Sequence, residues 1–548
     1  MMPLKKSVSI IVTVIILIVA AIYSYFLIDM LLGNNFEIES WNVVDNEGFP
    51  AISYDYSCSN YAEVKMFDSN SNIIDSDFFL RSEGSANINL GTYKQSITNE
   101  GYTFKAYTKE GDEIYSKSFN FDGPSLSINS CEQKWWVDEG EKILIGLSLS
   151  LTNTGDLPVY PYSIDLVTDS ETVSGLVLPS VVKSGCTTSV DCTLYKRDRP
   201  DTNSFILKVK DIDSNILSSS TFAFEVEGTV DTITYKDADF DGRSEDNNFV
   251  GLSAPYPEFL FDYYSDLDRL TDNDYSFYLY DIYDDLYIGL FVDRLISTLG
   301  FGEAKFNKKT APQKINFIAD FVHDLEYKKD VIVNETNEYP NYPIETLFNR
   351  IMGCDCEDKA ILIASILDSL NYSVALFRLP GHMAVGVQLS EDAIPNEEFY
   401  YSDYYYLETT KEKANVGHIT RDFERDKIES LDVYEIADKP YLIHQWIDNV
   451  LTIYTNTKYG DFVKIDMIME NHGRSTANDI TVEGVFISSK YNFELNSEKV
   501  SISSLEAGKK TKLTFTADIP SSTSTFESRI IYRGRVVNTR ESSETFPT

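Results

Sequence analysis

The chain is short of positive charge: 47 Lys and Arg stand against 86 Asp and Glu, a formal net charge of -39. A surface of that sign repels phosphate backbones and anionic headgroups, which argues against a nucleic-acid partner and against peripheral docking on acidic lipid. Long apolar runs are scarce too. There is one, at the N-terminus, so more than one membrane crossing is not expected. Cysteine is sparse, six in 548 residues. Cys354, Cys356 and His382 would give three metal ligands, but no second Cys pair or His pair completes a tetrahedral set.

What is present is a folded, multidomain chain. Its 43% hydrophobic and 13% aromatic content can offset ordering entropy. Its length predicts about three to five domains of roughly 100–200 residues. Lys5 and Lys6 precede a run from Ser7 to Gly33 whose single acidic or basic residue is Asp29. A spanning helix takes about 20 apolar residues, more than the roughly 7–15 of a cleaved signal's core. Residues 7–33 are therefore expected to be a transmembrane signal anchor, 1–6 a cytoplasmic tail, and the bulk of the chain extracellular, with cleavage after the run as the alternative. In an oxidising exterior Cys58, Cys131, Cys186 and Cys192 allow three complete pairings. A Cys186–Cys192 bridge is disfavoured, because on one extended strand they would stand roughly 20 Å apart.

Residues 36–124 and 125–228 read as short alternating strands punctuated by turns, the pattern of two β-sandwich (Ig-like) modules; residues 441–548 repeat it. Asn153-Thr154-Gly155 and Asn471-His472-Gly473 occupy matching places. So do Val182-Lys183-Ser184-Gly185 and Leu505-Glu506-Ala507-Gly508, as in a divergent internal repeat. Strand, Asn-x-Gly turn, strand and glycine turn together resemble the adhesion-type sandwich modules of prokaryotic surfaces. In such modules the Asn and Gly are structural, with glycine supplying positive φ.

Residues 229–440 change character. Leu286, Leu290, Leu295 and Leu299 fall on one helical face of Asp285 to Leu299, and Ile315, Ile318, Phe321, Val322 and Leu325 on one face of Pro312 to Leu325. Pro312 suits a first turn. This is an α+β domain flanked by sandwiches. Near its start, Asp237, Asp239, Asp241 and Glu245 alternate around Gly242 like the first half of a calcium loop. Asn248 stands where a bidentate Glu would close it, so a structural calcium and a plain solvated turn both remain open.

Asp355 is a good N-cap and Asp358 completes a variant capping box, which places Cys356 at the first position of an apolar helix. A helix N-terminus favours thiolate and offers N–H groups to an oxyanion. Asp355, Glu357 and Asp358 oppose ionisation, so a partner cation is required, and His382 is the candidate. His382 begins the second strand of a hairpin, and Glu408 ends a third strand, Ser402 to Thr409.

A Cys helix, a His hairpin and an acid-bearing strand in that order resemble the transglutaminase-like superfamily. Phe321-Val322-His323-Asp324-Leu325-Glu326-Tyr327 is similar to its preceding helix and Tyr339-Pro340-Asn341-Tyr342-Pro343 to its loop before the nucleophile. Asp355-Cys356-Glu357-Asp358-Lys359-Ala360 is similar to its nucleophile motif. The resemblance covers about 310 to 412. It implies a papain-like core with Cys356 as nucleophile, His382 as general base and acid, and Glu408 orienting the imidazole. It departs at Glu408, where Asp is commoner, at His323, where glutamine is expected, and at Cys354, a rival thiol, a disulfide partner or neither.

The expected activity is thiol-dependent amide hydrolysis, by a protease or amidase, on a protein or peptide such as a cell-wall or surface protein. A crosslinking acyltransferase and a non-catalytic adhesion or binding protein are the alternatives. No cofactor is required by this chemistry. Asn334 and Asn371 head acceptor sequons.

Overall fold

The computed structural model describes residues 35–97, 100–138, 140–197, 203–235, 251–269, 274–298, 302–330, 339–348, 353–390, 399–411, 414–419, 431–455 and 457–546. The apolar run 7–33, the calcium-type loop of Asp237, Asp239, Asp241 and Glu245, and the sequon at Asn334 lie outside these residues. Among the described residues no helix is long and apolar enough to cross a membrane.

The first module packs a three-stranded sheet, whose strands are Phe36–Asn46, Phe49–Cys58 and Ser82–Asn89, on a four-stranded sheet, Ile73–Phe79, Ala62–Phe67, Glu100–Tyr107 and Glu113–Phe121. Strict alternation in Ala62–Phe67 sends Ala62, Val64 and Met66 into the core. The second module was expected as a sandwich. It is one continuous seven-stranded antiparallel sheet. Register shifts in Leu126–Asp138 and in Thr187–Arg197 interrupt its ladders, and such bulges bend strands. The two edge strands come together, Gln133 Nε2 donating to Ala223 O at 2.8 Å. Trp135 faces the module's own core, while Trp136, Ile143 and Ile145 face the helices of the next domain. All six cysteines are free thiols, and Cys192 lies on the strand that Cys186 leads into.

That next domain holds helices Asp285–Thr298, Ala311–His323, Pro343–Phe348 and Cys356–Ser369 against a five-stranded antiparallel sheet. The sheet order is Tyr400–Tyr401, Tyr404–Leu407, His382–Val387, Val374–Leu379, Asp432–Ile436. Thr310 caps the helix Ala311–His323 with a Thr310–Gln313 capping box, and Ile315, Ile318, Phe321 and Val322 are buried as expected. Leu325 lies beyond the helix end, and Leu286, expected in the apolar stripe, is exposed. Asn371 stops the Cys356 helix in the left-handed region at φ 63°.

The last module pairs Leu442–Trp446, Phe462–Asn471, Thr452–Tyr454 and Lys510–Asp518 in one sheet; Glu494–Leu505, Ala477–Ser488, Ser524–Tyr532 and Arg535–Phe546 form the other. The expected repeat is visible in its hydrogen bonds. Asn153 Nδ2 donates to Leu157 O (2.8 Å) and Val182 O (3.0 Å), and Asn471 Nδ2 to Ser475 O (2.9 Å) and Leu505 O (3.0 Å). The glycines work differently from expectation. Gly155 and Gly473 are not at positive φ. A Cβ would stand 2.5 Å from Gly123 O in one and 2.2 Å from Lys439 O in the other, so close backbone approach requires them. Positive φ belongs to Gly185 (68°) and Gly508 (69°).

The first and last modules touch. Lys464 Nζ sits 2.5 Å from Asp77 and 3.2 Å from Asp466, and Lys512 Nζ sits 3.1 Å from Asp75, all largely buried.

Candidate functional site

Gly353, at φ 73°, leads the chain into a parallel bridge between Cys354 and Tyr327, directly before the helix Cys356–Ser369. A Cβ there would collide with the Lys328 side chain at 2.5 Å. Asp358 carries out the predicted capping and more. One carboxylate oxygen accepts the Asp355 N–H (3.0 Å) and the other the Asn341 N–H (2.8 Å). The helix start is thereby tied to the Tyr339–Pro343 loop. That loop is held in turn by Arg269, which pairs with Glu345 (2.6 Å) and donates to Tyr339 Oη (2.8 Å). Burial and the neighbouring Asp355 push the Asp358 carboxyl up to about 8.

Lys359, buried, points the other way. Its ammonium donates to His323 O (3.0 Å) and Leu325 O (2.8 Å), closing the C-terminus of the preceding helix.

The two cysteines separate clearly. Cys354 is buried in the bridge, its thiol donates to Glu326 O at 3.4 Å, and burial pushes it up to about 12. Cys356 is half-buried at the first helical position. Its S–H donates to Glu357 Oε2 at 3.1 Å, and the Met383 N–H reaches its sulfur. Burial raises this thiol well above its ordinary range, and the charges of Glu357 and Asp355 raise it further.

Met383 follows His382, so the sulfur lies against the strand that carries the imidazole. His382 Nε2 is 3.1 Å from Glu408 Oε1. Glu408 is 1% exposed and fully engaged. Oε2 accepts from Tyr406 Oη (2.8 Å), and Oε1 from the Thr409 N–H (3.1 Å), the Thr410 N–H (3.0 Å) and the Thr410 hydroxyl (2.8 Å). Burial alone would raise this carboxyl, but His382 and Thr410 outweigh it and hold it at about 2. Thr409 Oγ1 donates to Met383 O (2.8 Å), lashing the Glu408 strand end to the His382 strand.

His382 and Glu408 are thus in direct contact, and the Cys356 sulfur meets the His382 strand at the Met383 N–H. His323 Nε2, protonated, donates to the Glu408 carbonyl at 2.9 Å. The ring supports the backbone behind the acid. Sequence reasoning missed Lys359, Arg269, Tyr406 and Thr410. A signal existed for Tyr406, two residues before Glu408 and so on the same strand face. None existed for Arg269, 76 positions from Glu345.

The Asp355 and Glu357 carboxylates and the Cys356 sulfur lie within 4.8 Å of one another, the set of donors that could hold a metal ion among the described residues. Cys354 and His382, weighed above as co-ligands of Cys356, do not join it.

No protein-family profile matches the chain, and no curated protein matches it. Among solved structures, an exo-chitosanase of Amycolatopsis orientalis is similar over 34% of this chain and 26% of its own length, at 11% identity and TM-score 0.13. The YadV chaperone is similar over 35% of this chain and 100% of its own, at 9% identity and TM-score 0.13.

Proposed function

We propose that this protein is a thiol-dependent amide hydrolase, a protease or amidase of transglutaminase-like type, anchored by its N-terminal run and acting outside the membrane on a protein or peptide. The supporting observation is the buried His382–Glu408 pair at 3.1 Å, on strands packed against the helix that begins with Cys356. With Nε2 on Glu408, Nδ1 is the ring nitrogen that takes the thiol proton. The sulfur then attacks the amide carbonyl carbon, and N–H groups of the first helical turn stabilise the oxyanion. The imidazolium returns its proton to the departing amine, leaving a thioester. Water, deprotonated by the same nitrogen, releases the acid and the free thiol. An amine in place of water would make the protein a crosslinking acyltransferase through the same first half.

A second reading, a non-catalytic binding protein, draws on the Cys356–Glu357 contact, which favours the inert thiol.

The test is labelling of the full chain with iodoacetamide at neutral pH, followed by peptide mapping. We expect modification at Cys356, its loss in Cys356→Ala, its retention in Cys354→Ala, and a slower rate in His382→Ala. Equal labelling of the two cysteine variants, or indifference to His382, overturns the reading in favour of binding. Mass spectrometry of a glutamine peptide incubated with and without a primary amine separates hydrolysis from transfer.

A further inference from the structure

The seam between the first and last modules encloses a cleft of about 580 Å³, far from Cys356 in sequence and unused by the proposed chemistry. The seam is fixed by buried ion pairs, Lys464 with Asp77 and Asp466 and Lys512 with Asp75, of which Asp77 lines the cleft. Such a site is built before any ligand arrives.

Aromatic rings from both modules meet along it. Tyr61 stacks on Phe78 with centroids 6.1 Å apart and meets Tyr459 at 5.5 Å, and Phe78 meets Phe462 at 6.0 Å. The same lining includes the hydroxyl residues Ser76, Thr514 and Thr516 and the carboxylate residues Glu63, Glu498 and Asp518. Lys109 is held over the Tyr459 ring at 4.0 Å.

Flat amphipathic rings interleaved with hydroxyls and carboxylates suit a ligand with apolar C–H faces and many O–H donors. We infer that this cleft is a binding site for a neutral oligosaccharide. An acidic glycan is disfavoured, because the carboxylates outnumber the one lysine that lines the cleft. An extended peptide needs main-chain groups to pair with. Here the Ser76 and Phe78 N–H groups already donate to Asp75 (2.8 Å) and Asp77 (2.7 Å), and Asp518 O already accepts from Asn496 (3.0 Å). The ligand is therefore read by ring faces and side-chain acceptors.

Calorimetric titration of the full chain tests this, with hexa-N-acetylchitohexaose and cellohexaose as neutral probes, hexagalacturonate as the acidic one and hexalysine as the cationic peptide. Saturable binding of at least one neutral probe is expected, with none by hexagalacturonate. Tyr459→Ala and Tyr61→Ala should each weaken it tenfold or more. Glu498→Gln, at an exposed position, should weaken it several-fold. Tyr491→Ala, an exposed ring elsewhere in the last module, should leave it unchanged. Binding by neither sugar, binding by hexalysine alone, or equal losses in Tyr491→Ala and Glu498→Gln would overturn the proposal.

Discussion

The two ends of the candidate site are built on opposite electrostatic plans. At the strand end, Glu408 is a buried carboxylate surrounded by donors: His382, Tyr406, and the backbone and hydroxyl of Thr410. Its charge is stabilised although it is out of water. At the helix start, the Cys356 sulfur lies among acceptors, with Glu357 on its proton and Asp355 beside it. Its charge is opposed. Burial opposes charge at both; the neighbours overcome it at Glu408 and add to it at Cys356. On the proposed reading, the acid is already in its working form and the thiol is held back by Glu357.

The acid end is broken most severely by Glu408→Ala. Five donors would lose their acceptor in a sealed site. Destabilisation of roughly 3–5 kcal/mol is expected, read by chemical denaturation. Glu408→Gln should fold better yet react about 10³–10⁴-fold more slowly at Cys356, as when a triad's orienting acid is removed. A wild-type alkylation rate in Glu408→Gln would show that His382 needs no orienting partner.

The thiol end is sharpened by Glu357→Gln. Removing one negative charge at 3.1 Å should move the pH midpoint of alkylation down by about 1–2 units, a rise of roughly tenfold or more in rate at neutral pH. An unmoved midpoint would leave burial as the whole cause of the raised thiol and dissolve the contrast.

The two plans also predict opposite slopes against pH. The folded Glu408 carboxyl, at about 2, titrates below its ordinary 4.5. Its contribution is present above 4.5 and is lost as pH falls through 2. The folded Asp358 carboxyl, at about 8, titrates above its ordinary 3.8. The native state holds that proton longer than the unfolded chain does, so its contribution is full below 3.8 and is lost as pH rises through 8. Relative to Glu408→Gln, the wild type should gain stability from pH 2 to 4.5. Relative to Asp358→Asn, it should lose stability from pH 4 to 8. Denaturation midpoints at five pH values measure both.

The sequence showed what local spacing encodes. Asp355 and Asp358 stand three apart, and that alone announced a helix start with Cys356 at its tip. Alternation in residues 36–124 announced strands, as the inward Ala62, Val64 and Met66 illustrate. Contacts between distant segments were illegible. Nothing near Lys359 in the chain marks it as buried, and its two carbonyl partners lie 34 and 36 positions upstream. Trp135 and Trp136 are neighbours in the chain, and only the fold shows that they serve different cores. Gly155 and Gly473 were read as φ switches because a turn glycine often is one. Their constraint is a carbonyl pressed against Cα, a fact about a neighbour and not about the turn itself.

The smallest expected effect is the most discriminating for how the acid end is held. His323 contributes a single ring N–H to the Glu408 carbonyl, at 2.9 Å. The Glu408 carboxylate itself has five other donors: the His382 ring, the Tyr406 hydroxyl, the Thr409 and Thr410 N–H groups and the Thr410 hydroxyl. His323→Gln replaces one N–H donor with another of similar reach. It should cost only about 0.5–1.5 kcal/mol in denaturant unfolding, the scale of one hydrogen bond, and leave the alkylation pH profile in place. His323→Leu removes the donor while filling the space, and leaves a buried carbonyl to be desolvated without it. It should cost about 1–3 kcal/mol, again with the pH profile unmoved. If instead the profile of either variant shifts, the ring is coupled to the titration of the His382–Glu408 pair. The acid would then depend on the backbone behind it as well as on the donors in front.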